Sequence, residues 1–198
     1  MRLPTPRLVL RTAAPADVPA LVAYALGEAR ESARFSPRRP PSHFTAAHWR
    51  RRVRAQEEAR RADRGLVLYL FRRGAPREVV GHASLSNVVR GTFQAAHLGY
   101  ALREAHRGEG LMTEALRAVL RHAFGPMRLH RVMANYVPSN APSARVLRRL
   151  GFRREGLARD YLLIDGRWRD HVLTSLVHPR WRPDPRDPAA AAAAGGRR

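Results

Sequence analysis

The sequence predicts an α+β (α/β) protein in which a mixed, mostly antiparallel central sheet is flanked by helices. Helical periodicity near the N-terminus predicts two consecutive helices. Later segments alternate apolar and polar residues between turn residues, which predicts antiparallel hairpins. A strand, a glycine-containing loop and an amphipathic helix follow one another in the middle of the chain. The 198 residues favour one folded domain, residues 1–181, followed by a disordered Pro-, Ala- and Arg-rich tail at 182–198.

The first elements are a strand and a helix pair. Residues 7–11 alternate as a strand does, and Asp17 is placed to cap the first helix. After a proline-rich loop, Thr45 is placed to cap a second helix, from Ala46 to about Ala62. The buried faces of these helices are expected to include Val18, Leu21, Val22, Leu26, Trp49 and Val53.

The remaining chain is rich in strand and turn patterns. Residues 66–71 and 79–85 predict a hairpin whose turn contains Gly74 and Pro76, and the Arg90-Gly91 turn leads to a strand ending at Leu102. The C-terminal elements are expected to be a helix from about residue 111, a strand at 129–136, a helix closed by a left-handed Gly151, and a hairpin turning at Asp165-Gly166.

The chain is strongly basic, with a formal net charge of +21 and a pI near 11.8. Such a charge suggests contact with a polyanion, for which the ribosome and its rRNA are candidates. All of the non-histidine basic residues are arginines, however, and a GC-rich genome can produce that bias without a binding role. The arginines of the second helix are open to the same two interpretations, a solvated face or a ribosome or acceptor contact.

Composition also restricts the chemistry and the compartment. The absence of cysteine excludes disulfides and a cysteine nucleophile, so any acyl transfer is expected to be direct. No apolar run approaches membrane-spanning length, and the N-terminus lacks an apolar signal core. A cytoplasmic protein without membrane contact is therefore expected.

The central loop, Arg107 to Met112, is suited to a phosphate group. Gly108 and Gly110 let the backbone turn tightly, and the loop leads into a helix whose first amides are unpaired. A dinucleotide-binding turn would need glycine where Thr113 stands, and an ATP-type loop would need a lysine, which the chain lacks. An ordinary turn that caps a helix remains the alternative.

The spacing Arg107-x-x-Gly110-x-Met112 resembles the coenzyme A loop of the acetyl-CoA-dependent N-acetyltransferases of the GNAT superfamily, although Met112 departs from the general motif. The order of the predicted elements is also that of the superfamily. The chain from Thr5 to Trp181 is similar to the RimJ-type ribosomal-protein alanine N-acetyltransferases. The segments that carry this similarity are 84–91, 110–112, 133–136, 160–166 and 168–171.

This resemblance implies the GNAT acyl-CoA N-acyltransferase fold and acetyl-CoA as the cosubstrate. It implies acetyl transfer to the N-terminal α-amine, alanine, of a small-subunit ribosomal protein. An α-amine has a pKa near 8 and lysine one near 10.4, so about a tenth of the α-amine but about one lysine in a thousand is neutral near pH 7. The alternatives are an acetyltransferase of another peptide N-terminus or a small amine, and a non-catalytic ribosome-assembly factor.

The resemblance also implies site residues. Glu104 is the candidate base, with surface pairing to Arg103 or Arg107 as the alternative. Ser143, in the first turn of a helix, can stabilise or protonate the departing thiolate, while simple helix capping by Ser139 or Asn140 is the alternative. The residues expected to contact coenzyme A are Tyr100, Ala101, Leu102, Arg107, Gly108, Glu109, Gly110, Leu111, Met112, Thr113, Asn140 and Ser143.

The acceptor and metal predictions rest on fewer signals. The acceptor groove is expected to include Asn135, Tyr136, Asp160, Tyr161 and Asp170, each of which also suits a structural role. The histidines are scattered without the close spacing of metal ligands, so no metal site is expected.

Overall fold

The computed structural model describes residues 1–31 and 33–182, which form one eight-stranded sheet and four α-helices. The strand order across the sheet is β1-β2-β3-β4-β5-β6-β8-β7. The elements are β1 (Arg2–Pro4), β2 (Leu8–Arg11), α1 (Val18–Glu31), α2 (Ala46–Arg61), β3 (Leu66–Arg72), β4 (Ala75–Val89), β5 (Ala95–Leu102), α3 (Leu111–Phe124), β6 (Arg131–Met133), α4 (Ala141–Arg149), β7 (Arg153–Ile164) and β8 (Arg167–Val177).

One parallel pairing interrupts an otherwise antiparallel sheet. β5 and β6 run parallel and pair only through residues 95–97 and 131–133. Residues 98–102 of β5 pair with β4 on one side, and the described residues provide no strand partner on the other. The sheet therefore has an opening beside the second half of β5, which we call the notch.

The sheet separates two hydrophobic clusters. Alternate residues of β3 serve opposite faces, with Leu68 and Leu70 in one cluster and Tyr69 and Phe71 in the other. The larger cluster lies under α3 and α4 and contains the fully buried Leu116 and the nearly inaccessible Leu147. The smaller cluster lies under α1 and α2. Each face of the sheet at the notch is thus covered by its own helix pair.

Several predicted elements are confirmed. Thr45 accepts a hydrogen bond from the His48 amide and begins α2, whose Trp49 and Val53 are buried. The fold class, with a mixed and mostly antiparallel sheet between helices, is the predicted one. The last hairpin turns at Asp165 and Gly166, which both have positive φ, as the sequence predicted.

Other predictions were wrong in detail. Asp17 does not cap α1, because its carboxylate accepts hydrogen bonds from Arg11 and from the Ala14 amide. Leu26 is exposed, and Tyr24 is buried in its place. The strand predicted at 129–136 is shorter, since pairing with β5 stops at Met133.

The sheet begins with a short strand that the sequence did not reveal. β1 was not predicted, because three residues are too few to show alternation. Pro76 lies within β4 rather than in the turn before it. Of the predicted tail, residues 183–198 lie outside the described part of the chain.

Candidate active site

The notch exposes backbone groups of β5. Arg103 donates its amide to Val80 of β4, and alternation along the strand directs the peptide groups of Ala101 to β4 as well. The peptide groups of Tyr100 and Leu102 face the notch by the same rule. The Leu102 carbonyl accepts a hydrogen bond of 3.2 Å from Arg107 Nε. The loop at residues 107–112, which we call the phosphate loop, is therefore tied to the end of the strand.

The loop itself has the conformation that its glycines allow. Gly108 and Gly110 have φ of +85° and +77°, a region that side chains other than glycine rarely occupy. A Cβ at Gly108 would meet open space within 4 Å, so a ligand can approach the backbone there. The tight glycine conformation and the open backbone at Gly108 both suit a diphosphate group.

The first amides of α3 are available to such a ligand. The first helical hydrogen bond runs from the Glu114 amide to the Gly110 carbonyl. The preceding amides, those of Leu111, Met112 and Thr113, therefore have no acceptor within the helix. All three side chains are buried, so these residues present backbone and not side chain to the loop. Glu109 differs, because its exposed side chain pairs with Arg72 at 3.1 Å.

Two hydroxyl groups meet on the α3 and α4 side of the notch. Asn140 caps α4 by accepting the Ser143 amide at 3.2 Å. The Ser143 Oγ lies 2.7 Å from the Tyr100 hydroxyl. Burial raises the pKa of Tyr100 to about 12, although the hydrogen bond with Ser143 acts in the opposite direction. Tyr100 therefore stays protonated at neutral pH and can donate to Ser143.

Glu104 lies just beyond the notch, in a short 3-10 segment, Glu104–His106. Its side chain is exposed and makes no hydrogen bond or ion pair among the described residues. The surface pairing considered as an alternative is wrong, because Arg103 pairs with Glu31 at 2.9 Å and Arg107 bonds to the Leu102 carbonyl. The Glu104 amide also donates to Glu31 at 2.6 Å. Glu31 thereby holds the backbone of the segment and leaves the Glu104 carboxylate free.

The residues predicted for the acceptor groove fall into three places. Asn135 Nδ2 lies 3.3 Å from the Tyr161 hydroxyl, which brings these two together. The Asp160 amide donates to the Asp170 carboxylate at 3.0 Å, and Asp160 has a positive φ of 44°. Tyr136 packs instead against the cluster under α3 and α4 and bridges to β8.

A cavity that the sequence did not reveal lies between α1, α2 and the sheet. Its volume is about 370 Å³, and its polar lining includes Tyr24, Glu28 and His82. The Tyr24 hydroxyl is 2.9 Å from His82 Nδ1. Burial, assisted by the charges of Arg52 and Arg39, lowers the pKa of His82 to about 4, so this imidazole is neutral at physiological pH.

Glu28 is the acidic group of this cavity. Burial raises its pKa, although Arg39 and Arg52 act against this. The carboxylate makes no hydrogen bond or ion pair within residues 1–31 and 33–182.

The cavity wall also includes Ser84 and Ser86, whose cross-strand partners are Gly99 and His97 of β5. The cavity is thus one strand spacing, about 4.8 Å, from the strand that borders the notch.

The described residues contain neither a cluster of metal-ligating side chains nor a long apolar helix. No group of three or more His, Asp or Glu side chains in that part of the chain could hold a metal ion. None of its helices has the length and apolar character needed to cross a membrane.

Comparison with known proteins assigns the chain to a family of acetyltransferases. The profile of the acetyltransferase (GNAT) domain matches residues 7–153. The [ribosomal protein uS5]-alanine N-acetyltransferase of Escherichia coli K12 is 42% identical over 183 residues, which cover 92% of this chain and 94% of that enzyme.

Two solved structures extend the comparison. The ribosomal-protein-S5-alanine acetyltransferase of Vibrio fischeri has a TM-score of 0.88 at 31% identity, covering 92% of this chain and all of that one. Mycobacterium smegmatis RimJ, in complex with CoA-disulfide, has a TM-score of 0.82 at 29% identity, covering 98% of this chain and 93% of that one.

Proposed function

The chain belongs to the GNAT acetyltransferase family, and from that membership we propose that it acetylates the N-terminal alanine of a small-subunit ribosomal protein. The observation that carries the proposal is the similarity to the uS5-alanine N-acetyltransferase over nearly the full length of both chains. Acetyl-CoA is the donor, and the phosphate loop with its free helix amides is the group of residues that suits its diphosphate. Ribosomal proteins are made in the cytoplasm, so the proposal includes a cytoplasmic location.

Transfer is direct, since the chain has no cysteine to carry an acyl group. The amine nitrogen forms a bond to the acetyl carbon, and the carbon–sulfur bond of the thioester breaks. The amine loses a proton to a base, and coenzyme A leaves as a thiolate that takes up a proton. About a tenth of an α-amine is already neutral near pH 7, so a weak or water-relayed base is sufficient.

Two side chains are assigned to these proton transfers. Glu104 is the proposed base, because its carboxylate has no competing partner and directly follows β5. Ser143 is proposed to stabilise the thiolate, supported by the positive end of α4 and by the hydroxyl of Tyr100 at 2.7 Å. The peptide groups of Tyr100 and Leu102 that face the notch are proposed to bind the amide-bearing arm of the donor as an added strand would.

In this proposal the acceptor enters from the face of the sheet that α1 and α2 cover. Glu28 of the cavity offers a negative charge to an N-terminal ammonium, and Asn135 with Tyr161 offers polar groups nearer the C-terminal hairpin. Asp160 and Asp170 add acidic groups on that hairpin, whereas Tyr136 lies with the donor-side cluster.

The experiment is intact-mass spectrometry of peptides incubated with acetyl-CoA and the protein. One peptide starts with a free alanine of a ribosomal-protein N-terminus, and a matched peptide has a blocked α-amine and an internal lysine. Acetylation of the free N-terminus alone is expected. Acetylation of the lysine would contradict the proposed acceptor, and acetylation of neither peptide while acetyl-CoA binds would favour a small amine.

A ribosome or rRNA contact is the second candidate function. Arg50, Arg51 and Arg54 project from α2 as exposed side chains without an acidic partner among the described residues, whereas Arg60 and Arg61 pair with Glu57. Binding through such a surface would weaken steeply with salt. Co-sedimentation with small ribosomal subunits at low and high salt tests this, with Ser143→Ala plus Glu104→Ala as the matched variant in which transfer is strongly slowed while the basic surface is kept. An assembly function should survive in that variant.

A further inference from the structure

The N-terminal segment of the chain contacts both the phosphate loop and the first turn of α3. Arg7 Nε donates to a carboxylate oxygen of Glu114 at 2.7 Å, and Arg7 Nη1 donates to the Glu109 carbonyl at 2.9 Å. The Arg7 amide donates to the other oxygen of Glu114 at 2.8 Å. Thr5 adds a hydroxyl 2.6 Å from that same oxygen. One guanidinium therefore joins the loop to the first turn of α3.

The bond from Arg7 to the Glu109 carbonyl fixes a peptide plane of the loop. A trans peptide directs its C=O and N–H to opposite sides. Because the Glu109 carbonyl points to Arg7, the N–H of Gly110 must point away from Arg7. Gly110 alone would not hold this plane, since glycine is the residue with the most backbone freedom. Arg7 thus restricts the loop where glycine leaves it mobile.

Arg7 also compensates an acidic group at a site meant for an anion. Glu114 lies in the first turn of α3, within one turn of the free amides. An unpaired carboxylate there would repel a diphosphate. Burial would raise the pKa of Glu114, but hydrogen bonds from Thr5 and Arg7 outweigh it and lower the pKa, so the carboxylate is ionised at neutral pH. Its charge is paired with the guanidinium at 2.7 Å.

The third nitrogen of the guanidinium faces the loop. A Cβ built on Gly110 would lie 3.7 Å from Arg7 Nη2. The positive group therefore lies beside the glycine whose peptide plane it fixes. The Arg7 side chain therefore both fixes the loop peptide and neutralises Glu114.

We propose that Arg7 is a positioning residue for the diphosphate of the acetyl donor, and that Glu114 acts through it. The pair holds the Glu109–Gly110 peptide in its binding orientation and keeps the first turn of α3 free of uncompensated negative charge. This inference rests on the proposed use of acetyl-CoA. A purely structural role, in which the pair only joins the strand to the helix, makes different predictions.

The test compares donors with and without a diphosphate. Arg7→Ala is expected to raise the Kd for CoA, measured by calorimetry, about tenfold or more, as loss of a charge-assisted hydrogen bond predicts. S-acetyl-pantetheine lacks the diphosphate, and kcat/KM for this donor is expected to change by less than about twofold. Arg73→Ala is the matched control, because Arg73 bonds to the Thr5 carbonyl of the same segment without touching the loop.

A double variant separates charge from geometry. In Arg7→Ala the Glu114 carboxylate loses its counter-ion, so adding Glu114→Gln is expected to recover part of the lost CoA affinity. Arg7→Lys keeps the charge but cannot make both directed bonds, and is expected to fall between wild type and Arg7→Ala. Glu114→Gln and Arg7→Lys are conservative enough to answer the question if Arg7→Ala fails to fold.

Each result decides between the alternatives. Equal fold losses in CoA affinity and in kcat/KM for S-acetyl-pantetheine would overturn the inference and indicate a structural link alone. Unchanged CoA affinity in Arg7→Ala would also overturn it while leaving the proposed function intact, since the wild type would still bind CoA. Wild-type protein that binds no CoA would overturn both.

Discussion

The two faces of the sheet position their functional groups in different ways. On the face covered by α3 and α4, the groups suited to the donor are mainly backbone amides at the start of one helix and on one strand edge. On the face covered by α1 and α2, the polar groups are side chains from separate elements, such as Glu28 of α1 and His82 of β4. The proposed donor site therefore depends on local backbone conformation, whereas the proposed acceptor site depends on how distant side chains pack.

The largest expected effect is on the donor face, with Gly110→Val. A β-branched residue at φ of +77° is strained, and its side chain would press on Arg7, whose Nη2 lies 3.7 Å from a Cβ at this position. The Kd for acetyl-CoA is expected to rise about a hundredfold, by calorimetry. Gly91→Val is the matched control, because Gly91 also has a positive φ, of +65°, and a Cβ there meets open space. Unchanged affinity in Gly110→Val would remove the phosphate site from this loop.

The next effect tests the hydroxyl pair at the notch. Ser143→Ala is expected to lower kcat about a hundredfold, and Tyr100→Phe about tenfold, with little change in CoA affinity. Because the two hydroxyls act as one unit, the double variant is expected to be no slower than Ser143→Ala. Steady-state kinetics with the alanine peptide measures this. Additive losses would show that the hydroxyls act separately.

A smaller effect is expected on the acceptor face. Glu28→Gln removes the negative charge of the cavity and is expected to raise KM for the acceptor peptide about threefold to tenfold, with the Kd for CoA unchanged. Glu58→Gln, on the exposed surface of α2, changes net charge equally and serves as the control. A loss of CoA affinity in Glu28→Gln would contradict the division between the two faces.

The smallest effect is a pH dependence of stability that arises from the acceptor face. Burial, together with nearby arginines, lowers the pKa of His82 and His43 to about 4 from 6.5. Between these values the unfolded chain binds protons that the folded chain does not, so stability falls as pH decreases from 6.5 to 4. The His43→Gln, His82→Gln variant is expected to lose about 3 to 6 °C less in Tm between pH 7.5 and 6 than wild type. Equal losses in Tm would show that other groups control this range.

Elements whose signals are local could be predicted well. The Thr45 cap, the buried Trp49 and the Asp165-Gly166 turn were all found where the sequence placed them. The glycines of the phosphate loop adopt the positive φ that their position suggested. Cap hydrogen bonds, turn dihedrals and helical periodicity involve residues within about four positions, so the sequence displays them directly.

Errors arose where another partner, near or distant in the chain, overrides the predicted local contact. Asp17 has the residue type and position of a helix cap, yet Arg11 and the Ala14 amide take its carboxylate. The strand at 129–136 keeps its apolar pattern beyond Met133, but the partner strand diverges there and pairing ends. Divergence of the partner, which produces the notch, has no counterpart in the composition of either segment.

The sequence by itself determined the fold class, the helix starts, the last hairpin and a glycine loop suited to a phosphate, because these follow from neighbouring residues and simple periodicities. Only the tertiary structure decided which polar side chains meet. Tyr100 meets Ser143 across 43 positions, Arg7 meets Glu114 across 107, and Tyr24 meets His82 across 58. Such contacts depend on the order in which strands and helices pack, and no spacing in the chain encodes a hydrogen bond between residues so far apart.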